Sequence, residues 1–421
     1  MRSFPSCWNL TLSRLGFRRK RTSKKRYSQF GRRPQLEALE ARQLLALTVN
    51  TLDDIQDGSV LDGSISLRDA LAFAGAYGGQ VDFQPSLAGG TIRLNSTLDV
   101  SSAVVIVGLG ADKLTISGGG AVRVFNVANG ASQIAVGISG VTIADGYCAD
   151  YSGDGNGGGG IYSTEDLTLD SVVFTNNQGG PRGGGLSQKG GSLNVVNSTF
   201  SNNKARYGGG AIIDATTATS ITGSSFVYNV AYDTPGDAND GGGGGLYLVA
   251  IAQANQAQIK NTTISSNVAE RAVGGLILAN SYATVINSTV TLNETAIEYS
   301  GLAIYGGGLT LNNSIVAGNV GATPDALTGG LSGGNNLFAA NFTGSAGLGL
   351  KLPQGQTVQL SPLGLYGGST PTHVPLPGSL AVDAGSDAAI SGLTTDQRGF
   401  RRQSDRPLGT CLLYTSDAAD E

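Results

Sequence analysis

A short pattern that returns at a fixed interval limits this chain more than any other feature. Between Gly140 and Asn319 it reads SVVFTNN (171–177), NSTFSNN (197–203), GSSFVYN (223–229), NTTISSN (261–267), NSTVTLN (287–293) and NSIVAGN (313–319), after a looser GVTIADG (140–146). The central apolar residues Ile143, Phe174, Phe200, Phe226, Ile264, Val290 and Val316 are spaced by 31, 26, 26, 38, 26 and 26 residues. A period of 26 with two longer copies describes one structural unit that twice carries an insertion. Five positions upstream of those residues stand Leu169, Val195, Ile221, Ile259, Val285 and Leu311, and three positions downstream stand Asn177, Asn203, Asn229, Asn267, Asn293 and Asn319. Further upstream, a glycine precedes each of Ile161, Leu186, Ala211, Leu246, Leu276 and Leu302.

The runs within each unit are too short and too polar for helices, and they alternate with period 2. A coil of short parallel strands, one turn per repeat, stacks equivalent residues about 4.8 Å apart. Stacked Val, Leu and Phe then form a continuous core, while stacked asparagines bond to one another at a corner in an asparagine ladder. The expected fold is all-β, a single-stranded right-handed parallel β-helix with a short N-terminal capping helix. The Asn-x-Ser/Thr sequons are by-products of this repeat.

Composition agrees once the apolar rows are seen. Gly makes up 65 of 421 residues and clusters at 157–160, 183–185, 208–210 and 241–245, where tight corners need its freedom. Residues 1–42 hold 12 Lys/Arg against 2 Asp/Glu, leaving 15 against 29 in the remainder. A basic leader thus precedes an acidic body, which argues against nucleic acid as a partner. The body has one cysteine, Cys148, and the chain one histidine, His373. A disulfide framework and multi-His zinc sites are excluded, and a Ser–His–Asp triad within the solenoid has little room. There is no apolar run long enough to span a bilayer, and a monomer is expected.

In order, residues 1–46 form a basic leader expected to be disordered, 47–80 an N-terminal cap, 81–343 the coil, and 344–409 an irregular C-terminal β/cap region. Residues 410–421, TCLLYTSDAADE, look like translated adaptor. In the cap, Leu67, Ala70, Leu71 and Ala74 fall at helical spacing after Ser66, a plausible N-cap. Asp53, Asp54 and Asp57 read as a solvated turn before that helix rather than a calcium loop.

Three groups of motifs carry family resemblances. QLEALEARQLLAL (35–47) resembles the Leu-Glu-Pro-Arg leader of exported bacterial proteins, with Ala41 in place of the proline. SISLRDAL (64–71) resembles the opening segment of bacterial right-handed β-helix proteins. GGSTPTH (367–373), VDAG (382–385) and TDQRG (395–399) resemble the C-terminal signature of the choice-of-anchor Q family, within the pectate-lyase-like superfamily. Together these resemblances imply export and an extracellular or cell-surface location.

Three departures from the stacking rule are candidate sites. The insertions 146–158 and 230–242 leave one corner about three turns apart and carry Asp150, Asp154, Asp233, Asp237 and Asp240 with Tyr147, Tyr151 and Tyr232. Carboxylates on Gly-rich loops are the hard-oxygen ligands of calcium, the one cofactor the sequence suggests, and tyrosines stack on sugar rings. Arg182, Arg206 and Arg271, with Glu298 in the next turn, put charge on a neighbouring edge. Tyr162, Ser187, Ile212, Tyr247, Ile277 and Ala303 follow the Gly corner as a row expected to face solvent.

Two functions fit. One is a surface protein binding extracellular polysaccharide or cell-envelope components, with Tyr147, Tyr151, Tyr162, Tyr232 and Tyr247 as ligand contacts. The other is a polysaccharide lyase or hydrolase acting on acidic sugars with calcium, using Arg182, Lys189, Arg206 and Arg271. Most charges sit at corners rather than on one strand face, which favours binding.

Overall fold

In a computed structural model the chain is described over residues 45–77, 79–149, 157–233, 242–297, 299–321, 330–342, 346–390 and 392–402. Residues 35–44 of the leader motif, Asp150, Tyr151, Asp154, Asp237, Asp240, Glu298 and the adaptor-like segment lie outside these residues, whereas the motif's last three residues, 45–47, begin the first strand.

Each apolar row of the sequence becomes a column. Leu169, Val195, Ile221, Ile259, Val285 and Leu311 are successive register partners in parallel strands. Ile143, Phe174, Phe200, Phe226, Ile264, Val290 and Val316 form a second column, which Phe338 extends. Ile161, Leu186, Ala211, Leu246, Leu276 and Leu302 form a third. The chain is therefore a right-handed parallel β-helix whose turns contribute short strands to three main stacks, the first two merging into one strand at Leu276–Ile286 and Leu302–Asn312. A short fourth stack of two-residue strands, Lys204–Ala205, Val230–Ala231, Val268–Ala269 and Glu294–Thr295, follows the asparagine corner; right-handed crossovers are the rule for parallel strands. The first stack follows the Gly corner, the second carries the Leu169 column, and the third carries the phenylalanines. The third stack runs on to Gly349–Lys351, one strand beyond the predicted end of the coil.

The inner columns are dry. Phe174, Phe200 and Phe226 lie face to face with centroids 4.5 and 4.6 Å apart and ring planes 4° and 6° from parallel. Full burial of each such side chain contributes roughly 1.5–3 kcal/mol. At the corner after this stack the asparagines are fully satisfied. The Asn203 amide donates from Nδ2 to Asn229 Oδ1 at 3.0 Å and to the Phe174 carbonyl at 3.1 Å, and the same Oδ1 accepts the Asn203 backbone N–H. Equivalent bonds run from Asn177 to Asn319. A second ladder, of serines, stands before the third stack: Ser198 N–H donates to Ser224 Oγ, Thr262 N–H to Ser288 Oγ and Ser288 N–H to Ser314 Oγ. The residue before each of these turns adopts a left-handed conformation at Asn197, Asn261, Asn287 and Asn313 (φ 47–50°), which asparagine tolerates better than most residues. That requirement accounts for the sequon-like spacing.

The N-terminal end is closed as the helical spacing predicts. Helix Leu67–Tyr77 buries Leu67, Ala70, Leu71 and Ala74 against the first strands, Leu45–Val49 and Gly79–Phe83. Ser66 caps it, accepting the Asp69 N–H on Oγ. Asp54 grips Arg68 through both carboxylate oxygens at 2.8 Å and accepts the Asn95 N–H, so it closes the cap.

The C-terminal region is more than an end cap. Residues 357–390 and 392–402 fold back as a strap along the outer face of the third stack. Thr370 Oγ1 donates to the Gly223 carbonyl, Gln397 bonds Ser224, Ser225 and Thr263, and Asn313 exchanges two bonds with the Ser386 backbone. Arg402 binds Asn261, and Asp396 holds Arg398 at 2.7 Å, both side chains nearly fully buried. The motifs GGSTPTH and TDQRG are thus the fastening points of the strap.

Candidate functional site

The predicted row of outward residues after the Gly corner is not a solvent-facing stripe. Tyr162, Ser187, Ile212, Ile277 and Ala303 are all at most 8% exposed, and Tyr247 is half-buried. The cause is the corner itself, which doubles back over the strand that follows it. Gly183 and Gly208 take φ of 56° and 64°, and a Cβ on Gly208 would lie 2.9 Å from the Ile212 Cβ. Only glycine permits that approach, so the corner covers the row that alternation alone places in water. Val273 packs with Ile277 and Ala303 beneath this cover.

What the corner leaves accessible is a polar cluster across three successive turns. Arg182 Nη2 donates to Asp214 Oδ2 at 2.7 Å, with both groups partly exposed. Asp214 ends the strand Ala211–Asp214 and is the register partner of Lys189, which is exposed. One turn on, Tyr247 pairs with Ile212, and its ring lies 6.0 Å from Tyr207, over which the Arg206 guanidinium sits at 5.9 Å. Burial pushes the Tyr247 phenol above its ordinary value; Arg182 opposes that shift and Asp214 adds to it. The phenol therefore stays protonated at neutral pH and offers a donor. Four residues picked from the sequence, Arg182, Lys189, Arg206 and Tyr247, are brought together here.

The loop roots form a second group. Tyr147 bridges to Gln178, and Gln178 to Lys204, which pairs with Val230, so both insertions leave from the short stack that holds Lys204–Ala205 and Val230–Ala231. Tyr232 donates from its hydroxyl to the Gly180 carbonyl at 3.0 Å, under the Lys204 ammonium at 5.1 Å. Asp233 accepts from Arg271 on Oδ2 at 3.3 Å, its N–H donates to Glu270, and its Oδ1 is buried without a partner among the described residues. Tyr162 stands apart from both groups with its ring against the Arg123 guanidinium at 5.4 Å. Among the described residues no three His, Cys, Asp or Glu side chains gather in a metal-holding arrangement, and no helix is long and apolar enough to cross a membrane.

His373 belongs to a different place. Its Nδ1 lies 2.8 Å from the Ser361 carbonyl, which can only accept, so Nδ1 carries the proton and Nε2 accepts from Ser265 Oγ at 2.8 Å. Burial lowers its pKa, partly offset by that carbonyl. A serine–histidine pair of this kind is the start of a nucleophilic site. Ser265 is fully buried, however, and forms no part of the neighbouring cavity wall, so the pair fastens the strap. The sequence contained no sign of it, because the partners are 108 residues apart.

No protein-family model and no curated protein matches this chain. A solved structure described as Geobacillus virus E2 ORF18 is similar at a TM-score of 0.26 and 13% identity, over 71% of this chain and 62% of that one. The chain thus spans less than two-thirds of that protein, and a likeness at this level carries no argument.

Proposed function

We propose that this chain is an exported, extracellular or cell-surface β-helix that binds glycans or other envelope components along its loop-bearing flank. The observation that carries this reading is the cluster of Arg182, Asp214, Tyr207 and Tyr247. Its planar and hydrogen-bonding groups are held at fixed spacing by neighbouring turns, the arrangement that saccharide hydroxyls and ring faces need. Export is motivated by the leader motif and by the resemblance of 367–399 to choice-of-anchor Q proteins.

Nothing in the geometry favours a lyase. A lyase must hold its substrate's carboxylate with a cation, and two of the candidate arginines already hold carboxylates of this chain: Arg182 pairs with Asp214 and Arg271 with Asp233. Calcium remains part of the proposal at the loop roots, where Asp233 Oδ1 has a lone pair to offer. A rise in melting temperature on adding calcium, reversed by chelator and absent in Asp233→Asn, is the expected result there.

The binding reading is tested on a panel of immobilised glycans and cell-wall fractions. Retention that falls at least tenfold in Arg182→Ala and Tyr247→Ala is expected. No retention on any member of the panel contradicts it.

A further inference from the structure

The strap leaves one turn of the coil unsatisfied. In the turn 261–265 every outward polar side chain is bonded to it: Asn261 to Thr395 and Arg402, Thr263 to Thr372 and Gln397, and Ser265 to His373. One turn on, the register partners of Thr263 and Ser265 are Thr289 and Thr291. Their hydroxyls, and both amide atoms of Asn287, are buried with no partner among the described residues. Asn287, Thr289 and Thr291 are 0%, 0% and 1% exposed. In the turn after that, bonding resumes at Asn313.

At Thr291 the strap and the coil part around a cavity of about 480 Å³. That volume lies within the range of about 300–1,000 Å³ typical of small-molecule sites. Thr291 and His373 line its inner side, Leu352 and Val358 give apolar wall, and the exposed amides of Asn341, Gln356 and Gln359 stand at its mouth. No lining residue is Asp, Glu, Lys or Arg. With Nδ1 bonded to Ser361 and burial opposing a second proton, His373 brings no charge either. A charged ligand would lose its hydration here with no counter-charge to replace it. A ligand rich in hydroxyl or amide groups, with apolar ring faces, would meet amides at the mouth and aliphatic wall within.

We infer that this cavity is a second binding site, separate from the arginine–tyrosine flank, which takes a neutral saccharide unit such as a hexose or an N-acetylhexosamine. It stands whether or not the flank binds glycan.

The test uses the whole chain titrated with galactose, glucose and N-acetylglucosamine, with galacturonate as the charged counterpart, followed by calorimetry and thermal shift. At least one neutral sugar binds the native chain and raises its melting temperature, and galacturonate binds at least tenfold more weakly. Gln356→Ala, at an exposed position that leaves folding intact, weakens the neutral sugar at least tenfold, whereas Arg182→Ala leaves its affinity within twofold. The inference is overturned if no neutral sugar binds, if galacturonate binds equally well, or if Gln356→Ala is without effect. Loss of binding in Arg182→Ala alone would assign the sugar to the flank and overturn it too.

Discussion

At the scale of single residues, the asparagine ladder concentrates the most hydrogen bonding in the fewest atoms. Asn229 accepts two bonds from Asn203 and donates one each to Phe200 and Asn267, all in a dry corner. Replacing it by alanine strands groups in two neighbouring turns, and each buried group left unpaired costs about 1–3 kcal/mol. Asn229→Ala should therefore lose about 3 kcal/mol or more in chemical denaturation. Asn319→Ala, at the ladder's half-buried end, should lose about 1 kcal/mol. Equal losses at both positions would mean that the ladder does not bear on stability. The ladder was legible in the sequence because an identical polar residue at one offset in six turns has few other uses. The serine ladder beside it was not singled out, since Ser198, Ser224, Ser288 and Ser314 alternate with Thr262 and look like ordinary β-rich composition.

At the scale of elements, the strap is the part that periodicity could not reveal. Its contacts join residues 73–173 positions apart in sequence, and nothing in them repeats. The motifs themselves stood out in the sequence, but their role as a clasp depends on where the chain turns back. The covered row from Tyr162 to Ala303 was misread for a related reason, because alternation says which way a side chain points but not whether a glycine corner folds over it. His373 provides a test of the clasp. Burial holds its imidazole below the ordinary value of 6.5, so the folded chain refuses a proton that the unfolded chain accepts. Its contribution is then complete above pH 6.5 and declines as the pH falls from there toward the folded value. The stability difference between the native chain and His373→Gln should accordingly shrink on going from about pH 7.5 to about pH 5. A difference that grows on acidification would mean that the imidazole is charged in the fold. Gln397→Ala removes bonds to Ser225, Thr263 and Thr370 and should lose about 2–3 kcal/mol, with faster amide exchange around Thr263.

At the scale of the whole molecule, each turn of the coil meets only its neighbours, and that makes one turn a removable unit. Deleting residues 178–203, one full period of 26, joins Asn177 to Lys204 and leaves Asn229 next in the ladder and Phe226 next beneath Phe174. The shortened chain should fold with a modestly lower melting temperature. Deleting residues 178–190 removes half a period, sets every column out of line and should abolish cooperative unfolding. The most direct measurement of vertical registry is a cross-link between exposed register partners, Thr168 and Asn194. Parallel partners lie about 4.8 Å apart, within disulfide reach, whereas Thr168 and Ser220, two turns apart, do not. With Cys7 and Cys411 replaced by serine, Thr168→Cys/Asn194→Cys should close a disulfide under mild oxidation without loss of stability, and Thr168→Cys/Ser220→Cys should remain reduced. Failure of the first pair to close, or closure of both alike, would contradict the coil.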